Sequence, residues 1–124
     1  MSLPDAALVL AADDARALAA FYAALVDQPL QPGLSPHHWR VAMTAAGWLE
    51  VYQPSRSRPQ PRQRGRLAVC LRRDGDGAVL AAWMEQAIAL GAQRLDPPRQ
   101  EAFGSEVWLL DPEGNGLLLL VRDS

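Results

Sequence analysis

Hydrophobic and polar positions follow two periods along this chain, and the same succession of periods occurs twice. Ala6 to Ala11 is a short apolar run that predicts a strand, closed by Asp13 and Asp14. Leu18, Phe21, Tyr22 and Leu25 then recur at helical spacing and form one apolar face, with Asp14 placed to cap the helix by accepting from its first amides. The second half repeats this: Leu67 to Leu71 reads as a strand, Asp74 and Asp76 follow, and Leu80, Trp83, Met84, Ala87 and Ile88 give a helix face. Asp76 is its cap and Gly91 its stop. Ala17-Leu18-Ala19-Ala20-Phe21-Tyr22 corresponds to Val79-Leu80-Ala81-Ala82-Trp83-Met84, small residues leading to an aromatic at the same point.

Each helix is followed by strand-like segments. Trp39 to Thr44 and Trp48 to Gln53 predict a hairpin around Ala45-Ala46-Gly47. Glu106 to Leu110 and Gly116 to Arg122 predict another, turning through Asp111-Pro112-Glu113-Gly114-Asn115, where Gly and Asn are expected to supply positive backbone angles. Residues 53–65 are rich in Pro, Arg, Ser and Gln and read as a linker loop. The expected fold is α+β: one domain over residues 1–124 with halves at about 1–54 and 64–124, each a strand, a helix and two or three strands.

Composition narrows the function classes. A chain of 124 residues has the size of one domain, and 49% apolar residues suffice for a core. The net charge of −2 gives no field attractive to nucleic acid, and Arg56, Arg58, Arg62 and Arg64 sit among prolines with few aromatics, as a solvated loop does. Cys70 is the one cysteine, which excludes an intrachain disulfide and a thiolate metal cluster, and it is expected to be a buried, inert side chain. No segment approaches the roughly 20 apolar residues that span a bilayer, and Asp5, Asp13 and Asp14 are unlike a signal peptide, so the expected compartment is the cytoplasm.

Asp14 with Phe21-Tyr22, the closing Asp111-Pro112-Glu113-Gly114-Asn115 turn before an apolar strand, the internal repeat and the length together resemble the glyoxalase/bleomycin-resistance/dioxygenase family, the vicinal oxygen chelate superfamily. The resemblance covers nearly the whole chain. It implies two βαβββ repeats forming a cupped mixed sheet with helices on the outer side and the site in the cup, and it implies a homodimer. Metal-dependent members carry His, an acidic residue, His and Glu at positions that fall here on Ala7, Glu50, Arg66 and Leu118. Alanine and leucine donate no lone pair and a guanidinium is a permanent cation, whereas zinc or iron needs at least three protein ligands. No metal and no other cofactor is therefore expected.

If Glu50 faces the cup, strand alternation puts Trp48 and Tyr52 beside it; Ala7, Val9 and Ala11 share a face, as do Arg66, Ala68 and Cys70. Leu118 and Leu120 close the last strand, and Trp108 is compatible with either face. Trp48, Glu50, Tyr52, Arg66, Trp108 and Leu118 are the candidate ligand-binding residues, with Arg66 able either to grip an anion or to pair with Glu50. Trp83 is expected in the core. His37 and His38 are adjacent, so on a strand they point to opposite faces; either one is a candidate acid or base, and the other reading is a loop or strand edge. The expected function is a metal-free binder that holds a small organic molecule in an apolar aromatic cup; the alternatives are a metal-dependent glyoxalase-like lyase or extradiol-type dioxygenase and, after it, a structural or interaction module whose cup is filled by its own side chains.

Overall fold

A computed structural model describes residues 5–44 and 47–123. In chain order the elements are β1 (Ala7–Ala11), α1 (Ala15–Leu25), β2 (Gln31–Pro32), β3 (His38–Ala42), β4 (Trp48–Tyr52), β5 (Val69–Asp74), α2 (Gly77–Ala89), β6 (Gln93–Arg94), β7 (Arg99–Glu101), β8 (Gly104–Leu110) and β9 (Gly116–Arg122). The chain divides between Arg62 and Gln63 into two compact units, each with one helix and one mixed sheet. The α+β class and the doubled plan of strand, helix and further strands are the observed architecture, with three strands after α1 and four after α2, because both β6 and β7 pair with β8. No helix among the described residues is long and apolar enough to cross a membrane.

The first sheet has the order β1-β4-β3-β2, with β1 parallel to β4 and β3 antiparallel to it. The second has the order β5-β9-β8-β6, with β5 parallel to β9, β8 antiparallel to it, and β7 also paired to β8. The strand after each helix that closes the repeat thus returns beside the strand that opened it.

Both caps form as the sequence dictates. Asp14 accepts from the Ala17 amide at 3.0 Å, and Asp76 accepts from Ala78 and Val79 at 3.0 and 3.1 Å. α1 packs on β3 and β4, its Leu18, Tyr22 and Leu25 meeting a sheet face on which Val41, Leu49 and Val51 are fully buried. α2 packs on β8 and β9, with Leu80, Trp83, Met84 and Ala87 against Val107, Leu109, Leu117 and Leu119.

Several boundaries differ from expectation. β3 starts one residue early, at His38, and the Ala45 and Ala46 of the predicted turn lie outside the described residues. β5 starts at Val69 rather than Leu67 and runs on to Asp74, so Arg66 lies in an exposed bend ahead of the strand and does not share a strand face with Cys70. Pairing decides this: β9 is seven residues long, and its register carries β5 six residues from Val69. Cys70 is exposed, not buried, because it sits on an edge strand on the face away from α2. In the Asp111 turn Gly114 takes the positive φ of 87°, but Asn115 does not. Asn115 instead gives its backbone N–H (3.0 Å) and its side-chain amide (3.1 and 2.9 Å) to the buried Asp111 carboxylate.

Candidate functional site

Alternation along β4 turns Leu49 and Val51 into the core and Trp48, Glu50 and Tyr52 to the opposite face, where all three are half-buried. The parallel register brings Ala7, Val9 and Ala11 beside them, opposite Trp48, Glu50 and Tyr52 respectively. The antiparallel register adds His38 opposite Tyr52, Arg40 opposite Glu50 and Ala42 opposite Trp48. The predicted grouping of Trp48, Glu50 and Tyr52 on one face is thus what the first sheet presents.

The centre of this face is a hydrogen-bonded pair. His38 Nε2 lies 2.8 Å from Glu50 Oε1, with side-chain exposures of 13% and 26%. His38 Nδ1 accepts from the Leu34 amide at 2.8 Å, so Nε2 carries the hydrogen donated to the carboxylate. Both ring nitrogens are committed, and the imidazole is held rigidly. Glu50 thus has a hydrogen-bond partner within its own sheet in His38, and His37 remains in the exposed turn before β3.

Arg40 was not singled out in the sequence. Its position opposite Glu50 invites a salt bridge, yet its guanidinium leans one pleat along the sheet and lies 4.0 Å from the centre of the Trp48 ring. The signal was available: alternating inward Trp39 and Val41 leaves His38, Arg40 and Ala42 on the outer face. What alternation along one strand does not say is which residues stand opposite, because that depends on register.

Gly33 controls the histidine. A Cβ built there would fall 2.5 Å from His38 Cγ and 2.6 Å from Nδ1. Gly33→Ala is expected to push the imidazole off Leu34 and Glu50 and, because the same Cβ would fall 2.8 Å from the His38 carbonyl oxygen, to strain the backbone hydrogen bond between Gly33 and His38 as well. Two-dimensional ¹⁵N spectra of the imidazole read this directly as the loss of a single fixed tautomer. An unchanged tautomer in the variant would refute the packing argument.

The second sheet carries a comparable face. Trp108 and Leu118 stand opposite one another, with Cys70 on the other side of Leu118 and Glu106 opposite Leu120, while Val107, Leu109, Leu117 and Leu119 turn toward α2. Trp108 is half-buried and lies on the Leu118 face, which alternation had left undecided. Arg99 donates to Glu106 at 2.8 Å, and that hydrogen bond, with the carboxylate's charge behind it, raises the guanidinium pKa further. An open cleft of about 250 Å³ at the start of α2 is lined by Leu80, Pro98, Arg99, Gln100 and Ser105. Its polar side chains already have partners, Ser105 with Gln100 at 3.0 Å and Arg99 with Glu106.

A family model described as glyoxalase-like domain matches residues 7–120. The chain belongs to that family. The glyoxalase-like chain has the fold of a glyoxalase-related enzyme from Fulvimarina pelagi, with a TM-score of 0.73 at 19% identity over 96% of this chain and 86% of that one. A glyoxalase/bleomycin resistance protein from Albidiferax ferrireducens aligns at 0.70 with 20% identity, covering 94% and 96%. The fosfomycin resistance protein FosX from Mesorhizobium loti aligns at 0.68 with 14% identity, covering 96% and 92%. At such identities the likeness concerns the fold. No curated protein matches the sequence.

Membership raises the question of the superfamily's metal. At the four positions that the sequence resemblance assigns to metal ligands, Ala7 and Leu118 are aliphatic, Arg66 is a cation, and Glu50 is the one oxygen donor. Among the described residues no group of three or more His, Cys, Asp and Glu side chains is placed to hold a metal ion. The described residues therefore do not fit a metal ion at these positions.

Proposed function

We propose that this glyoxalase-like chain is a metal-free binding protein for a small organic molecule, of the glyoxalase/bleomycin-resistance type, working as a cytoplasmic homodimer. The observation that carries the reading is the outer face of the first sheet, where Trp48 and Tyr52 flank the fixed His38–Glu50 pair and all four remain half-buried. A sheet face packed in the core turns apolar, as the Leu49 and Val51 face does, whereas this one combines two large aromatics with a hydrogen-bonded polar pair. A flat apolar body laid on Trp48 and Tyr52, oriented by hydrogen bonds at its edge, satisfies both features. In the second unit, Trp108 and Leu118 share an outward sheet face, and these two with the exposed Arg66 are proposed as further ligand-binding residues. The dimer is supported by the apolar, outward β1 edge, where Leu8 and Val9 are exposed.

The test is tryptophan fluorescence titration against a library of flat organic compounds, with protein freed of metal by a chelator, alongside Trp48→Phe. Saturable responses that survive chelation and weaken about tenfold or more in Trp48→Phe are expected from the loss of stacking area. Uniformly flat responses, or binding that returns only with added zinc, iron, nickel or manganese, would overturn the proposal.

A further inference from the structure

Arg40 is half-buried and carries five N–H donors, yet among the described residues it makes no ion pair and no side-chain hydrogen bond. The carboxylate opposite it, Glu50, is engaged by His38 instead. The guanidinium carbon lies over the Trp48 ring, and its unpartnered donors are open to solvent, since no buried side-chain nitrogen or oxygen among the described residues lacks a partner. The three outward residues of β4 are spaced by about 7 Å, so the face is divided: a cation on Trp48 at one end, the His38–Glu50 pair in the middle, Tyr52 at the other.

Resting on the binding function proposed above, we infer that its ligand is a flat organic anion whose carboxylate or phosphonate group docks on Arg40. Centred 4.0 Å over the Trp48 ring, the guanidinium keeps its planar fork of N–H donors, the group that grips a carboxylate or phosphonate bidentately. An arginine kept for stability alone would have closed on Glu50, its cross-strand neighbour. Turning away from it removes the internal competitor and leaves the guanidinium poised for an external anion. Glu50 also screens the other side of the face against a second negative charge, so a monoanion is favoured over a dianion.

Calorimetric titration with 2-naphthoate, its neutral amide 2-naphthamide and the cation 2-naphthylmethylammonium tests this, using the full chain and the variants Arg40→Gln and Arg40→Lys. The naphthoate is expected to bind about 10- to 100-fold more tightly than the amide, the cation weakest, with that advantage abolished in Arg40→Gln and only partly kept in Arg40→Lys. Circular dichroism on each variant confirms that the fold is retained. Equal binding of acid and amide by the unaltered chain, or an acid preference that survives Arg40→Gln, overturns the assignment of Arg40 while leaving the binding function standing. Absence of binding by all three probes overturns both.

Discussion

Gly104→Ala is expected to destabilise the fold by about 3 kcal/mol or more, read as a fall in the denaturant midpoint at constant slope. Gly104 opens β8 between two partners, Glu101 of β7 and Arg122 of β9. Its φ is 146°, a conformation that side chains rarely adopt. A Cβ there would run into the Val121 carbonyl oxygen and come within 3.1 Å of Arg122 Cα and the Asp123 nitrogen. All three obstacles are backbone, so no rotamer change relieves them; the β8–β9 ladder itself must open. Gly114→Ala is the matched control. Its φ is also positive, at 87°, but nothing lies within 4 Å of the new methyl, so it should lose only about 1 kcal/mol of conformational energy. Equal losses in the two variants would show that backbone angle alone, not the close approach, sets the requirement for glycine at 104.

Tyr22→Ala is expected to cost about 3–5 kcal/mol, a large share of the 5–15 kcal/mol that holds a typical domain together. Tyr22 is fully buried on α1, and its ring meets Phe21 edge-on, with centroids 5.0 Å apart and planes at 82°. The helix it anchors is the one packed on β3 and β4, the strands that carry His38, Arg40, Trp48, Glu50 and Tyr52. Ligand binding should therefore be lost together with the thermal transition. Tyr22→Phe keeps the ring and removes only the hydroxyl, for about 1 kcal/mol. A Tyr22→Ala variant that melts within a few degrees of the unaltered chain would mean the helix is held by other contacts.

What could be read in advance depended on how local the deciding physics was. Asp14 and Asp76 cap their helices because a carboxylate and an amide a few residues apart meet regardless of the rest of the chain. Leu18, Tyr22, Leu80 and Trp83 are buried because helical spacing puts them on one stripe. The grouping of Trp48, Glu50 and Tyr52 follows from the two-residue pleat alone. The short strands β2, β6 and β7 have two or three residues each, too few to show a period, and they exist because β3 and β8 offer them an edge.

The candidate site was only half legible. Its aromatic walls lie on one strand, but its polar centre joins β3 to β4, and the Leu34 amide that fixes His38 comes from the turn before β3. Adjacent histidines gave no sign of which would be used. The close fit of Gly33 under the ring selects His38, and no pattern reports such a fit. Arg66 was placed on a strand because apolar alternation begins next to it, whereas the strand begins where β9 offers a partner.

By itself, then, the sequence determined the doubled strand-helix-strand plan, the caps, the helix faces and the outward set on β4, since each depends on residues a few positions apart. The tertiary structure decided the register that pairs His38 with Glu50, the turning of Arg40 onto Trp48 and the exposure of Cys70, since each depends on which distant strand lies alongside.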